Sequence, residues 1–246
     1  MRQFQKPALS GSGRVDSHGA IGANLSLSFS FGHDPVAGTW RMSGEKLAQR
    51  GEAAVSLYLD EDGDGHFSPG DKPLAGVGVN AGSLGTAAPT DKRGHAFVDG
   101  LQPYQKVLVS IDESALPDPF LVPTGEGEVI TPRPGVPGVI ALAVAPTGEV
   151  EGELDGAEGA PAPGVELELV AANGTVAART RAEYDGYFVF EKVVYGTYRL
   201  AVALDSEKVV GLQGELARPV VLGAKAALVR IGAVRLRPAT TLAAAK

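Results

Sequence analysis

Ala53-Ala54-Val55-Ser56-Leu57-Tyr58-Leu59 runs directly into Asp60-Glu61-Asp62-Gly63-Asp64-Gly65-His66-Phe67-Ser68-Pro69-Gly70-Asp71, and these two segments together decide the fold class. The first is short, apolar and partly alternating, so it reads as a β-strand. The second places carboxylates at loop positions 1, 3, 5 and 12. Side chains at alternate early positions converge on one point, a glycine at position 6 allows a sharp turn, and the residue at position 12 closes the shell. Asp60, Asp62, Asp64 and Asp71 are therefore candidate metal ligands. His66 at position 7 would add its backbone carbonyl, and Ser68 at position 9 can hold a water. Phe67 is expected to point into the core and tie the loop to the fold. Three aspartates within five residues repel one another unless a cation neutralises them. The expected ion is Ca2+; the alternative is an acidic surface turn with no ion.

Two features separate this loop from a helix–loop–helix calcium site. Position 12 is aspartate, with a shorter reach than glutamate, and the flanks cannot be helices. The strand precedes the loop, and Pro69-Gly70 and Pro73 follow it. The loop thus reads as a calcium loop between strands.

Composition agrees with an all-β chain. Gly 33 and Pro 17 are many for 246 residues, and long 3.6-period apolar runs are hard to find. No cysteine is present, which removes disulfides and thiolate metal sites. The net charge of -7 without a basic cluster argues against nucleic acid as a partner. No apolar run is long enough for a transmembrane helix, and no apolar signal segment follows residues 1–7. The reading is of a cytoplasmic protein or, preferred here, part of a longer exported chain of the cell envelope: outer membrane, periplasm or cell surface.

Asp16-Ser17-His18-Gly19 is expected to be a hairpin turn. Residues 21–31 then alternate without interruption: Ile21, Ala23, Leu25, Leu27, Phe29 and Phe31 on one face, glycine, asparagine and serine on the other. This fits a half-buried strand of a sandwich. It equally fits a strand of a membrane barrel, apolar toward lipid and polar toward the lumen. A membrane is implicated only if residues 20–31 belong to a barrel; otherwise a protein partner or self-assembly through this strand is expected. Residues 36–50, with Trp40, read as a linker or short hairpin.

Two stretches repeat one order of parts. Pro73-Leu74-Ala75-Gly76-Val77, the hairpin from Thr90 to Val98 and the turn at Gly100 are followed by a strand to Ile111. The second copy is Pro161 to Leu169, the hairpin from Thr180 to Phe190, and Val193 to Leu200. A period of about 90 residues is that of a small sandwich, not of a solenoid. The expected architecture is two tandem Ig-like or prealbumin-like β-sandwiches preceded by an N-terminal β-hairpin or strand. The expected divisions are 1–50, 51–145, 146–238 and a tail at 239–246. The second copy lacks the acidic loop, so calcium is expected in the first only.

The repeated pattern P-x-x-G-V-x-L followed by T-x-x-x-G-x-F-x-F-x-x-V-x-x-G-x-Y-x-L resembles the carboxypeptidase regulatory-like (transthyretin-like) sandwich, most fully over residues 146–204. Despite its name, that family implies no peptidase residues. The acidic loop directly before Pro73-Leu74-Ala75-Gly76-Val77 resembles the calcium-binding B-type repeats of Gram-positive surface adhesins. That resemblance implies a calcium-rigidified spacer with Asp60, Asp62, Asp64 and Asp71 in its ligand positions. The order of an alternating strand, a linker and two sandwiches looks like the C-terminal end of an outer-membrane usher-like protein.

No enzyme is expected. His18, His33, His66 and His95 are scattered, no nucleophile elbow is present, and Glu149, Glu151 and Glu153 sit at strand spacing as a solvated face. The expected role is a non-catalytic structural or interaction module with a calcium-stabilised first sandwich. The alternatives are an usher-like assembly or secretion role and a carbohydrate- or peptide-binding module. For the last, Tyr184, Tyr187, Tyr195 and Tyr198 would form a stacking platform, although Tyr187 and Tyr198 are expected to pack inside.

Overall fold

The computed structural model describes residues 8–15, 21–43, 49–82, 86–87, 89–206, 212–213 and 219–238. Apart from a 3-10 turn at Glu113–Ala115 and one helical turn at 204–206, every regular element described is β. The chain forms two compact units, Met1–Pro117 with Pro123–Val144, and Asp118–Val122 with Ala145–Lys246.

The first unit opens with two hairpins. β1 (Ala8–Val15) pairs antiparallel with β2 (Ile21–Ser28), setting Leu9 opposite Leu27 and Val15 opposite Ile21. The turn expected at residues 16–19 lies outside the described residues. β3 (Ser30–Asp34) pairs with β4 (Thr39–Ser43). The Asp34 carboxylate closes their turn by accepting the backbone N–H groups of Val36 and Ala37, at 3.0 and 2.9 Å. Residues 21–31 are therefore not one strand. The run breaks at Phe29, because the chain leaves β1 and takes β4 as its new partner. Nor is β2 half-buried: all its side chains are exposed, on both faces.

The first sandwich uses β5 (Gly51–Leu59), β6 (Lys72–Pro73), β7 (Val79–Ala81), β8 (Thr86–Ala87), β9 (His95–Leu101), β10 (Val107–Ile111), β12 (Glu128–Ile130) and the start of β13 (Gly138–Asp155); β11 (Leu121–Pro123) falls at the division between the two units. One sheet runs β13-β5-β9-β8, with β6 pairing on the end of β5; the other runs β12-β10-β7. In the first sheet Val55 lies between Ala96 of antiparallel β9 and Ile140 of parallel β13. Residues paired across strands share a face. The face carrying Ala53, Val55, Leu57, Val98, Ile140 and Leu142 is buried, and Val109 and Ile111 are buried in the second sheet. The sequence suggests two separate strands near residues 139–144 and 148–154, but β13 is one 18-residue strand. Pro146 does not break it: proline's φ suits extended backbone, and its carbonyl accepts the Tyr195 N–H.

The second unit takes the rest of β13 with β14 (Glu166–Ala171), β15 (Val176–Arg181), β16 (Tyr187–Val194), β17 (Gly196–Val202), β18 (Leu212–Gln213), β19 (Val220–Leu222), β20 (Leu228–Arg235) and β21 (Arg237–Pro238). One sheet sets β13 between antiparallel β16 and parallel β20; the other runs β15-β14-β17-β19. Val150, Leu154, Phe188 and Phe190 from the first meet Leu167, Leu169, Leu200 and Leu222 from the second in one buried cluster. The protein is thus an all-β chain of tandem sandwiches preceded by an N-terminal hairpin.

The internal repeat recurs in the backbone. Leu57 N–H donates to the Gly94 carbonyl, and Leu154 N–H to that of Gly186. Leu74 N–H returns to Leu57, and Ala162 N–H to Leu154. Gly76 N–H and Thr90 repeat as Gly164 N–H and Ala182. Both hairpin glycines are required. Gly94 has φ 72° and Gly186 φ 86°. A Cβ on either would stand 2.2 Å from the Leu57 carbonyl oxygen or 2.6 Å from that of Leu154.

Candidate metal centre

β5 delivers the acidic loop to a fixed place. The Asp60 N–H donates to the Val144 carbonyl at 2.9 Å, and the loop returns as β6, which pairs Lys72 with Leu59. The two ends are therefore clamped side by side. Asp60 and Asp71 are buried at the base, 3% and 8% exposed, while Asp62, Asp64 and His66 are exposed above them. One carboxylate oxygen from each of Asp60, Asp62 and Asp71 lies within 4.8 Å of the others. Asp64 is outside this cluster. Its Oδ1 accepts the His66 N–H at 2.6 Å, and the His66 side chain does not join the cluster either.

The carboxylates also shape the loop. Asp60 accepts the Gly63 N–H at 2.8 Å through Oδ1 and the Gly65 N–H at 3.0 Å through Oδ2. Gly63 and Gly65 both adopt φ 74°, which lets the chain curl around that carboxylate. Asp71 accepts from Ser68 N–H at 2.6 Å and from Glu61 N–H at 3.0 Å. These bonds, the Ser68 amide foremost, hold the Asp71 carboxyl below its ordinary range. Asp62 has weaker partners, the Asp64 N–H at 3.2 Å and the Ser68 hydroxyl at 3.4 Å. Glu61 is turned away to an exposed ion pair with Lys72.

Tyr58 is the floor of the loop. Its ring is 2% exposed and its hydroxyl donates to the Gly65 carbonyl at 3.1 Å. The phenol is pushed up, first by burial and then by Asp60, Asp71, Asp64 and Asp62. The four carboxylates thus create a negative field at one point. Phe67 departs from expectation: it is 61% exposed and lies edge-on against Tyr58 at 5.2 Å, covering the floor from outside instead of entering the core. Tyr58→Phe keeps the ring and loses the hydroxyl bond. It should lower the stability of the first unit by about 0.5–1.5 kcal/mol in urea unfolding.

The donor set is oxygen only, without nitrogen or sulfur in the cluster, and carries several negative charges. That suits a hard divalent cation.

A buried acid escaped the sequence reading. Glu52 is 1% exposed, and its Oε1 has no hydrogen-bond partner. Arg41 of β4, stacked 3.7 Å over the Phe97 ring and 3.8 Å from Asp99, is the cation that acts on it. Burial raises the Glu52 carboxyl, Arg41 lowers it and Asp99 raises it, with a net rise. A carboxyl raised in the folded state keeps its proton to higher pH than in the unfolded chain. Stability therefore falls as pH rises from the ordinary glutamate value, about 4.3, to the raised one. Glu52→Gln should remove that fall. Its stability relative to the parent, measured by urea unfolding, should increase across that window and stay level below it.

The four tyrosines do not form a platform. Tyr198 is in the core, its hydroxyl donating to the Val194 carbonyl at 2.7 Å, and Tyr195 packs partly buried against that core. Tyr184 is 85% exposed. Tyr187 does not pack inside, because it takes the outward parity of β16 while Phe188 and Phe190 take the inward one. Its hydroxyl donates to Glu151 at 2.8 Å, and Arg230 holds the same carboxylate at 2.6 Å. Arg230 first and Tyr187 second hold Glu151 below its ordinary range.

No protein-family model matches the sequence, and no curated protein matches it. Among solved structures, the Bacillus anthracis TIE protein is 14% identical over 94% of this chain, with a TM-score of 0.31; the chain spans 41% of that protein's length. GBS52, the minor pilin of Streptococcus agalactiae, is 14% identical over 78% of this chain and 98% of its own, with a TM-score of 0.32. A D312A variant of BcpA, the major pilin subunit of Bacillus cereus, is 10% identical over 93% of this chain and 78% of its own, with a TM-score of 0.31.

Proposed function

We propose that this chain is a non-catalytic structural module of a cell-envelope or surface protein, with its first sandwich stabilised by calcium. The observation that carries this reading is the convergence of Asp60, Asp62 and Asp71 within 4.8 Å at the clamped base of the loop. Asp64 and the His66 carbonyl complete the proposed shell when the exposed half of the loop closes over the ion. The calcium sandwich is assigned to residues 51–145 and the second sandwich to 146–238. Calcium supplies positive charge where the four aspartates accumulate negative charge. It fixes the loop beside β5 and β6, and the unit becomes a stiffer spacer. An exported location suits such a site, since calcium modules outside cells bind with Kd of about 10⁻⁴–10⁻³ M.

Calorimetric titration of the chain with calcium chloride tests the reading. One equivalent should bind, more tightly than magnesium. Absence of saturable binding up to tens of millimolar would leave the loop as an acidic turn.

A further inference from the structure

Glu52 is buried on the outer side of its sheet. Ala53, Val55 and Leu57 of β5 face the core, and Glu52 and Ala54 alternate to the other side. That side is open at Val139, the β13 partner of Ala54, which is 61% exposed. Glu52 and Ala54 are nevertheless 1% and 0% exposed. A side chain of the β3–β4 hairpin lies over this end. The Arg41 guanidinium is 3.7 Å from the centre of the Phe97 ring, and Phe97 is the β9 partner of Ala54.

The strand opposite Glu52 is irregular. The register of β5 on β9 steps from Gly51–Leu101 to Ala53–Val98, so Asp99 and Gly100 together oppose Glu52. Gly100 has φ 76°, a conformation that glycine supplies at a bulge. Asp99 stands 3.8 Å from Arg41, so two carboxylates meet one guanidinium. Arg41 and Asp99 are the charges that act on Glu52. Around them, β13 brings Gly138 and Val139, and β3 brings Gly32 opposite Arg41. His95 sits further along β9 beside Ser56, and Arg50, two residues before Glu52, is itself engaged. The Glu52 Oε1 has no hydrogen-bond partner. A neutral carboxyl tolerates that position better than a carboxylate, which would be a buried charge whose guanidinium is already shared with Asp99.

We propose that Glu52, Asp99 and Arg41 form a proton-controlled latch for the β3–β4 hairpin: with Glu52 protonated the hairpin is held on β5 and β9, and loss of that proton loosens it. This goes beyond the structural reading above and does not depend on calcium. The direction follows from linkage. Burial outweighs Arg41 and sets the Glu52 carboxyl above its ordinary range in the docked state, so docking takes up a proton. Docking is therefore strongest below the ordinary glutamate value, about 4.3, and weakens as pH rises through the raised one. A two-stranded hairpin is marginal once it leaves its support, so loosening opens the hydrogen bonds between β3 and β4.

Hydrogen–deuterium exchange of the whole chain, corrected for the intrinsic pH dependence of amide exchange, reads this directly. Protection of residues 30–43 should fall several-fold between about pH 4 and about pH 8, while protection of β5 and β9 holds. In Glu52→Gln, which keeps the size of the side chain without a titrating proton, residues 30–43 should be equally protected at both. Asp99→Asn leaves Arg41 to Glu52 alone and should shrink the fall while Glu52 still titrates. An equal fall in the parent and Glu52→Gln overturns the proposal, because another group is then the switch. Unchanged protection in the parent also overturns it, as does a fall shared by β5 and β9, which is opening of the whole unit.

Discussion

Phe188→Ala should lower the stability of the second unit by about 3–5 kcal/mol, the usual cost of removing a phenylalanine from a closed core. Phe188 is 1% exposed and stands edge-on to Phe190 with ring centres 6.0 Å apart. The surrounding backbone is built to its shape: a Cβ on Gly152 would lie 2.7 Å from the ring. The cavity cannot collapse cheaply, since that wall is the β13 backbone, held on both sides by β16 and β20. At about 4–8 °C per kcal/mol for a unit of this size, melting should fall by at least about 12 °C. Differential scanning calorimetry checks it. The transition assigned to the first unit, and its response to calcium, should be unchanged; a shift of both would show that the two units unfold as one.

Asp60→Ala should abolish calcium stabilisation. At a hundredfold excess over Kd, bound calcium contributes about 2.7 kcal/mol, and all of it requires the carboxylate at the base of the shell. The same substitution should also weaken the calcium-free protein, because Asp60 accepts the Gly63 and Gly65 N–H groups that curl the loop. Asp62→Asn separates the two effects. Asp62 is exposed and has only the long contacts to Asp64 and Ser68. Losing its charge relieves repulsion with Asp60 and Asp71 while removing a ligand oxygen of full charge. In EDTA it should melt at or slightly above the parent temperature, and in calcium well below. Equal melting of Asp62→Asn and parent in both buffers would remove the ion from the account.

The segments legible in sequence are those whose structure is decided locally. Ala53 to Leu59 is a short apolar, partly alternating run followed by turn residues, and it lies in β5. The aspartate spacing predicts convergence, and Asp60, Asp62 and Asp71 converge because β5 and β6 hold the loop ends together. The paired hairpins recur because each copy carries the glycine its close approach demands.

What was not legible depends on distant partners or on parity. The break at Phe29 comes from a change of partner from β1 to β4, which alternation within residues 21–31 does not encode. Glu52 is buried at the start of β5, and the cation whose charge acts on it, Arg41, comes from the preceding hairpin. Tyr187 differs from Phe188 by one position, and one position reverses the face. Phe67 sits in irregular backbone, where periodicity gives no direction. It lies edge-on against Tyr58, a contact that the spacing of the loop residues does not encode.

The most direct test is thermal unfolding of the whole chain in calcium and then in excess EDTA, followed by calorimetry. Calcium should raise the transition of the first unit by about 10 °C or more at saturating concentration. The transition of the second unit, the one lowered by Phe188→Ala, should stay where it was. Identical traces in calcium and EDTA would contradict the account and leave Asp60, Asp62 and Asp71 as acceptors for backbone N–H groups alone.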